Sequence, residues 1–217
     1  RIRPRHIKPG CKIGDDEVGN IILDILKGYG KNVADSMIIS SGEISSYTVV
    51  INPPDTDRIF LHYPGTNDTF SASDLPLDKI KQAQLFHFGY PPLMKQMYRN
   101  QGREVEKIFS QVRKKGVITS LDMAMPDPDS EAGQVDWLQI LQRVLPEVDL
   151  FLPSLEEILY MLGKKDYDLE RDGISVELLQ ETGDKLLELG AEIVVIKLGD
   201  QGLYLHTNEI TPDSAVS

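Results

Sequence analysis

Three polar residues of this sequence occupy positions from which a protein can bind a cation. Ser154 and Glu157 lie in the segment PSLEEIL, where an apolar run with helical spacing begins, and Asp122 ends the apolar run VITSLD. A carboxylate at the end of a strand can hold Mg²⁺ directly or through water. The Ser-x-x-Glu spacing is also that of a capping box, in which both side chains satisfy backbone N–H groups at a helix start. The local sequence favours capping for Ser154 and Glu157, and it leaves Asp122 open between an active-site acid and a solvated loop residue.

Glycine-containing turns form a second group of candidates. In VVIKLGDQGLYLH, Gly199 and Gly202 follow Lys197 and separate two apolar runs. Glycines permit a tight turn between strands, and their bare backbone also lets a nucleotide approach closely. In YPGTND, Asn67 follows Gly65 in a loop, a pattern that ordinarily indicates turn chemistry alone. The local sequence allows both a structural role and a binding role for each segment.

Several other chemistries are excluded or disfavoured. The sequence has neither a Gly-x-x-x-x-Gly-Lys phosphate loop nor a Gly-x-Gly-x-x-Gly turn after a strand. The four histidines lack metal-ligand spacing, and the one cysteine, Cys11, excludes an intrachain disulfide. A net charge of −11 argues against nucleic acid as a partner, because that binding needs clustered Lys and Arg. No apolar run is long enough to span a bilayer, so we expect no membrane partner and a cytoplasmic location.

An alternation of strands and helices positions these residues. Short apolar runs are predicted as strands at 83–89, 117–122, 149–153, 192–199 and 202–207, and amphipathic segments separate the first four. This alternation predicts an α/β fold with a mostly parallel central sheet and helices on both faces. Ligands of such sheets bind beyond the carboxyl ends of the strands. Gly89, Tyr90, Asp122, 154–157 and 197–202 therefore form the predicted site.

Two β-rich runs precede this alternation. SSYTVVIN (45–52) and RIFLHY (58–63) flank the turn signal PPDTD, which predicts a hairpin. The hairpin does not belong to the alternating pattern, so we predict a small separate sheet, a β lid at 45–63. A hairpin with open edges often pairs with its symmetry mate, and we therefore expect a homodimer formed through the lid.

The order of these segments resembles that of the ribokinase-like sugar kinases, the phosphofructokinase B type family. The resemblance is carried by CKIGDDEVGNIILDIL (11–26), PGTND (64–68), FHFGYP (86–91), LDMAMPD (121–127), VDLFLPSLEEILYML (148–162) and VVIKLGDQGLYLH (194–206). It implies one kinase-like α/β domain over 1–217 with a β lid over the sugar. It also implies a reaction in which the γ-phosphoryl group of ATP, with Mg²⁺, passes to a sugar hydroxyl.

The resemblance also implies roles on the nucleotide side of the site. Glu157 matches the glutamate of the family's Asn-x-x-Glu block, which helps to place Mg²⁺ and phosphate. Ser154 stands where the family has asparagine, which puts its contact with the phosphates in doubt. Lys197, Gly199 and Gly202 match the nucleotide-binding Leu-Gly-x-x-Gly block. ATP and Mg²⁺ are thus the expected cofactors.

Further residues are assigned to the sugar side of the site on the same grounds. These are Asn67, Gly89, Tyr90 and Asp122. Gly89 stands where ribokinase-like members carry a sugar-contacting acid, so ribose itself is not favoured. Asp122 matches an Asp or Asn position near the reacting groups.

Two blocks of the family are not recognisable in the sequence. The sugar-binding Asp with its Gly-Gly-Asn segment is missing before Cys11, and the Gly-Ala-Gly-Asp block is absent. The latter supplies the base and the helix N-terminus that cradles the transferred phosphate. We therefore expect the catalytic base beyond residue 217 and no kinase activity from these residues alone. Two alternatives stay open: a nucleoside kinase of the same superfamily, and a non-catalytic sugar or nucleotide sensor on this fold.

Overall fold

The strands and helices follow the order predicted from the sequence. The computed structural model describes residues 7–30, 32–54, 56 and 58–208. The strands are β1 (Lys12–Gly14), β2 (Ile38–Ser40), β3 (Tyr47–Ile51), β4 (Ile59–Tyr63), β5 (Leu85–Gly89), β6 (Ile118–Asp122), β7 (Leu150–Phe151), β8 (Ile193–Lys197) and β9 (Leu203–Thr207). The α-helices are α1 (Glu17–Tyr29), α2 (Leu77–Ile80), α3 (Lys95–Tyr98), α4 (Arg103–Arg113), α5 (Trp137–Val144), α6 (Leu155–Met161), α7 (Leu169–Asp172) and α8 (Val176–Glu188). Short 3-10 helices lie at Gly65–Thr69, Ala72–Asp74, Pro91–Leu93, Arg99–Gly102, Leu145–Glu147 and Gly199–Gln201.

The central sheet has five strands in the order β5-β6-β7-β8-β9. The first four are parallel, and β9 runs antiparallel to β8. Helices lie in each connection between the parallel strands, so the carboxyl ends of β5 to β8 meet at one edge of the sheet. The α/β class and the mostly parallel sheet are confirmed.

The hydrophobic core covers one face of this sheet. A row of side chains in register across the parallel strands is buried: Phe88, Leu121, Phe151 and Val194. Apolar residues of α4, α5, α6 and α8 pack against it in the same core. Several alternate strand positions, among them Leu85, Ile118 and Ile193, are exposed, whereas Ser120 of β6 is buried. Within the described residues, the helices of the core thus supply the expected cover on one face, and the second face carries exposed apolar side chains.

Two further strand pairs lie apart from the central sheet. β3 and β4 form the antiparallel hairpin that the sequence predicts, with Tyr47 opposite Tyr63 and Ile51 opposite Ile59. β1 and β2 form a short parallel pair that was not predicted. Strands of three residues are too short for an alternation of apolar and polar residues to reveal them. In the part of the chain that the structure describes, no helix is long and apolar enough to cross a membrane.

Candidate active site

The carboxyl ends of β6 and β8 bring two predicted site residues into contact. Asp122 is the last residue of β6, and Lys197 is the last residue of β8. Lys197 Nζ donates a hydrogen bond to Asp122 Oδ1 over 2.6 Å. The backbone N–H of Met123 donates to the same oxygen at 2.8 Å, which holds the carboxylate in place. The Lys197 side chain is 40% exposed and that of Asp122 is 17% exposed, so a ligand at the sheet edge can reach the ammonium group.

The capping box predicted at 154–157 is present at the start of α6. Ser154 Oγ accepts the N–H of Glu157 at 3.3 Å, and Glu157 Oε2 accepts the N–H of Ser154 at 2.7 Å. The backbone N–H of Lys197 donates to the carbonyl of Pro153 at 2.9 Å, and Ser154 bridges to Lys197 in a parallel arrangement. The capping box, which follows β7, therefore lies against the end of β8 and beside the Asp122–Lys197 pair.

Glu157 lies in the electrostatic field of that pair. Burial raises the pKa of Glu157 above its usual value, and the charge of Asp122 raises it further. The Ser154 N–H and the Lys197 ammonium act in the opposite direction. Glu157 Oε2 is taken by the capping bond, and no hydrogen bond of Oε1 is found among the described residues. Glu157 thus has one carboxylate oxygen available at a site of mixed charge.

This donor set fits Mg²⁺ only together with other ligands. No three His, Cys, Asp or Glu side chains within the described ranges cluster so that they could hold a metal ion. Mg²⁺ commonly takes one or two protein carboxylates and completes its octahedron with waters and substrate phosphates. Glu157, and Asp122 beside it, match that arrangement. The chain's residues are therefore compatible with a magnesium ion that arrives with a phosphorylated ligand.

The backbone conformation of the turn between β8 and β9 requires glycine, and the space around these glycines is open. Gly199 has φ +62° and Gly202 has φ +93°, a backbone region that side-chain-bearing residues rarely adopt. The N–H of Leu198 donates to the carbonyl of Gly202 at 2.9 Å and closes the turn. Apart from the glycine and its two chain neighbours, no described heavy atom lies within 4 Å of a Cβ built at Gly199 or Gly202. The turn is therefore tight, and a ligand can approach its backbone.

Gly89, the last residue of β5, and Tyr90, which follows it, lie beside Asp122, as predicted from their place at the end of a strand. Gly89 is in register with Asp122, and the N–H of Tyr90 donates to the Asp122 carbonyl at 3.1 Å. Tyr90 has φ +65° and an exposed side chain. A bulky residue in the left-handed region is uncommon and carries local strain. The tyrosine ring thus stands at the same sheet edge as the Asp122–Lys197 pair.

Asn67 lies at the base of the β3–β4 hairpin. Its side-chain Nδ2 donates to Ser46 Oγ at 3.0 Å, immediately before β3. The next residue, Asp68, accepts the N–H of Lys95 through Oδ1 at 3.1 Å, at the first residue of α3. No hydrogen bond joins Asn67 to Asp122 or Lys197 in the described structure. A sugar-binding role for Asn67 therefore stays a prediction, and its observed contact is within the hairpin base.

A second polar cluster was not anticipated from the sequence. Lys12 Nζ donates to Glu43 Oε1 and to Thr69 Oγ1, both at 2.9 Å. Thr69 Oγ1 donates to Glu43 Oε2, and Ser40 Oγ donates to Glu43 Oε1 at 2.7 Å. These bonds, first that from Thr69 and then that from Lys12, lower the pKa of Glu43 to about 2. Glu43 precedes the hairpin and Thr69 follows it, so Lys12 of β1 anchors both ends of the hairpin.

Asp16 strengthens the same anchor from α1. Its Oδ1 caps the helix by accepting the N–H of Gly19 at 2.7 Å, and it also accepts Ser45 Oγ at 2.7 Å. Its Oδ2 accepts the N–H of Ser45 at 2.7 Å. The Ser45 hydroxyl first, and then these backbone N–H groups, lower the pKa of Asp16. The spacing of GDDEVGN alone indicates only the helix cap, because the partner Ser45 lies in another segment.

Comparisons with known proteins show the family of the chain. The pfkB family carbohydrate kinase profile matches residues 9–212. An uncharacterized sugar kinase of Archaeoglobus fulgidus is 26% identical over 201 residues, which are 89% of this chain and 67% of the relative. Probable fructokinase-5 of Arabidopsis thaliana is 25% identical over 203 residues, which are 91% of this chain and 57% of that protein. The chain thus spans little more than half the length of the plant relative.

Solved structures share the fold. A fructokinase with bound ATP from Xylella fastidiosa has a TM-score of 0.69 at 16% identity, covering 94% of this chain and 58% of that one. The Arabidopsis thaliana ribokinase complexed with ribose and ATP has a TM-score of 0.65 at 18% identity, covering 93% and 58%. At these identities the likeness establishes the fold alone. Together with the family match over nearly the whole sequence, it confirms the resemblance seen in the sequence: the chain belongs to the pfkB family of carbohydrate kinases.

Proposed function

We propose that the protein containing this chain is an ATP-dependent carbohydrate kinase that transfers the γ-phosphoryl group of ATP to a sugar hydroxyl. The observation that carries the proposal is the convergence of Lys197, Asp122 and Glu157 at the sheet edge where β6, β7 and β8 end. This edge is where open α/β sheets bind their ligands. Family membership supplies the reaction class. The proposal treats 1–217 as one kinase-like domain, in which the β3–β4 hairpin acts as the lid.

The charges at this edge suit phosphoryl transfer. That reaction depends mainly on positioning and on stabilising the charge of the transferred group. The Lys197 ammonium offers a positive charge to the nucleotide phosphates, and the Asp122 carboxylate orients it. The open turn at Gly199–Gln201 offers backbone next to that charge. Glu157 would hold Mg²⁺, which would neutralise negative charge on the phosphates when bound.

The proposal specifies the sugar acceptor less closely than it specifies the nucleotide. Tyr90, at the end of β5, and Asn67, at the hairpin base, are its candidate contacts. Several plant relatives are named fructokinases, so fructose is the first acceptor to test. A cytoplasmic location belongs to the same proposal and is supported by the single cysteine.

A sensor on the same fold is the second candidate. It is favoured by Ser154, which stands where the family has asparagine and whose Oγ already accepts the Glu157 N–H. A serine used in this way presents less to a nucleotide phosphate than an asparagine amide would. In this case the protein would bind sugar or nucleotide without turnover.

A substrate panel with the intact protein separates these functions. The protein is incubated with MgATP and single sugars or nucleosides, ADP release is measured, and the phosphorylated product is identified by ³¹P NMR. Sugar-dependent ADP release with a sugar phosphate as product is the expected result. Turnover of a nucleoside alone would identify a nucleoside kinase. Ligand-induced thermal stabilisation without any turnover would identify a sensor.

We also propose that the β3–β4 hairpin pairs with the hairpin of a second copy. One face of the hairpin, here called the outer lid face, consists of aliphatic and tyrosine side chains. Its exposed side chains are Tyr47, Val49, Ile51, Ile59, Leu61 and Tyr63. A two-stranded ribbon that presents an apolar surface is only marginally stable by itself in water. A symmetric partner that covers this face would shield its apolar surface from water and would stabilise the two-stranded ribbon.

A further inference from the structure

Two carboxylate oxygens of the candidate site form no hydrogen bond within the described residues. Asp122 Oδ1 accepts both the Lys197 ammonium group at 2.6 Å and the N–H of Met123 at 2.8 Å, whereas no bond of Oδ2 is found there. Glu157 Oε2 accepts the N–H of Ser154 at 2.7 Å, and Oε1 has no such bond. An ionised carboxylate oxygen accepts through its lone pairs. Each of these two oxygens can therefore bind a cation without breaking a bond that the fold uses.

Lys197 supplies the positive charge beside these oxygens. Its ammonium group forms an ion pair with Asp122, and no ion pair of Glu157 is found in the described part of the chain. The backbone at Lys197 bridges to Ser154, and the N–H of Ser154 is bound by Glu157. Burial raises the pKa of Glu157, and the Lys197 ammonium acts in the opposite direction. One ammonium group thus compensates part of the negative charge of two carboxylates.

The ammonium group can move, whereas the two carboxylates are held in place. Lys197 reaches Asp122 through a flexible four-carbon stem, and its side chain is 40% exposed. The N–H of Met123 holds the Asp122 carboxylate, and the capping box holds Glu157. A partly exposed ion pair contributes little to stability. A ligand with several negative charges can therefore take over the ammonium group without unfolding the site.

We propose that Lys197 blocks cation binding by Asp122 and Glu157 until a nucleotide phosphate draws its ammonium group away, so that nucleotide and divalent cation bind cooperatively. This inference rests on the proposed kinase function. An ammonium group and a divalent cation beside the same carboxylates repel each other. A phosphate removes this repulsion by binding Lys197, and its own oxygens add ligands to the cation. The coupling is reciprocal, because each ligand raises the affinity for the other by the same factor.

Manganese binding in the absence of nucleotide tests this blocking role. Mn²⁺ is paramagnetic, and the loss of the electron paramagnetic resonance signal of the free ion measures its binding to the intact protein. We expect Lys197→Met and Lys197→Gln to bind Mn²⁺ about tenfold more tightly than the wild type, because one nearby positive charge is removed. Lys165→Met is the control, since its ammonium group lies beyond the end of α6, 4.6 Å from the centroid of the Tyr160 ring. Its Mn²⁺ affinity should equal that of the wild type.

Second substitutions identify the carboxylates that bind the cation. In the Lys197→Met background, Asp122→Asn or Glu157→Gln should remove the gain in Mn²⁺ affinity, whereas Asp129→Asn should leave it in place. Equal Mn²⁺ affinity in the wild type, Lys197→Met and Lys165→Met would overturn the inference. A gain that persists after both Asp122→Asn and Glu157→Gln would place the cation elsewhere and would overturn it as well.

These measurements need no turnover, so the inference and the proposed function can fail separately. Tighter Mn²⁺ binding by Lys197→Met, in a protein whose wild type phosphorylates no acceptor, would support the blocking role and overturn the kinase function. Sugar phosphorylation by the wild type, with unchanged Mn²⁺ affinity in Lys197→Met, would support the kinase function and overturn the blocking role.

Discussion

Lys197 Nζ contacts Asp122 Oδ1 at 2.6 Å although β7 lies between the strands that carry them. The two residues are 75 positions apart in the sequence, and each ends its own strand. The contact spans the end of the short strand β7, where the chain turns into the capping box of α6. The Lys197 ammonium group therefore lies at the sheet edge together with the carboxylates of Asp122 and Glu157 and the start of α6.

Replacing Lys197 should separate ligand binding from stability. Lys197→Met removes the charge that the proposed site offers to phosphate, so affinity for a non-hydrolysable ATP analogue should fall about 10- to 100-fold, as for loss of a charge-assisted hydrogen bond. The unfolding free energy should change by less than about 1 kcal/mol, because the ammonium group is partly exposed. Calorimetric titration and urea unfolding measure the two quantities. Lys197→Arg serves as the charge-preserving control, and unchanged nucleotide affinity in Lys197→Met would refute the assigned role.

Glu157→Gln should preserve or raise the free energy of unfolding, and it should remove the effect of Mg²⁺ on nucleotide affinity. Glu157→Gln keeps an acceptor for the Ser154 N–H, so the capping box persists. The pKa of Glu157 is raised in the folded state, so its protonated form is favoured there. The resulting contribution to the free energy of unfolding is fully present below the pKa that Glu157 has in the unfolded chain. It is lost as pH rises through the pKa that Glu157 has in the folded protein. At neutral pH, Glu157→Gln should therefore equal or exceed the wild type in unfolding free energy.

The controls for Glu157 distinguish its cap from its charge. Glu157→Ala should cost about 1 kcal/mol of unfolding free energy through loss of the cap. Both variants should abolish the increase in ATP-analogue affinity that Mg²⁺ produces in the wild type. Retention of that magnesium effect in Glu157→Gln would show that the metal is held elsewhere.

Glu43 should make the hairpin anchor sensitive to acid. Its pKa is lowered to about 2 in the folded protein, from a usual value of 4.5. Its stabilising effect is therefore full above pH 4.5 and is lost as pH falls through the folded value near 2. At pH 7 Glu43→Gln should lower the unfolding free energy by about 1–2 kcal/mol, and the gap to the wild type should close in acid. Asp129→Asn, in an exposed loop, is the control, and a gap independent of pH would contradict the proposed cause.

Gly199→Ala should impair nucleotide binding beyond its effect on stability. Gly116 is a matched control, because it has φ +70°, compared with +62° at Gly199, and both lack atoms within 4 Å of a built Cβ. Each alanine variant should lose about 1 kcal/mol of stability through left-handed strain. Only Gly199→Ala should weaken ATP-analogue binding, since Gly116 precedes β6 at the opposite edge of the sheet. Equal nucleotide affinity in the two variants would leave Gly199 with a turn-forming role alone.

A charge on the outer lid face should dissociate the proposed homodimer. Leu61→Lys places an ammonium group in the centre of that apolar face, opposite Val49. Burying an unpaired charge at an interface is strongly unfavourable, so sedimentation velocity should show a shift from dimer to monomer. Thr48→Ser, on the other face of the hairpin, should leave the sedimentation coefficient unchanged. A wild-type protein that sediments as a monomer at all concentrations would contradict the proposal.

Local patterns in the sequence anticipated much of the sheet and its helices. The strand predicted at 117–122 is β6 at Ile118–Asp122, and the amphipathic segment predicted between 122 and 149 contains α5 at Trp137–Val144. The Asp136 side chain caps this helix by accepting the N–H of Gln139 at 3.0 Å. The capping box at 154–157 was read from spacing alone, since its partners are three residues apart. Periodicity and capping are local, so a single sequence reveals them.

The contacts that anchor the hairpin could not be predicted from such local patterns. Lys12, Glu43 and Thr69 come from three separate segments, and no spacing between them indicates a contact. The same holds for His62 Nε2, which is buried without a hydrogen-bond partner among the described residues. The exposed second face of the central sheet is likewise a property of packing.

The sequence by itself determined the α/β alternation, the family resemblance and the candidate residues at the strand ends. Tertiary structure decided which of them meet: Asp122 contacts Lys197 and lies in the field of Glu157, whereas Asn67 contacts Ser46 at the hairpin base. The physical reason is the range of the interactions. Helix periodicity and caps act within a few residues, but the pairing of parallel strands brings distant residues within hydrogen-bond reach, and that proximity is set only once the whole sheet has formed.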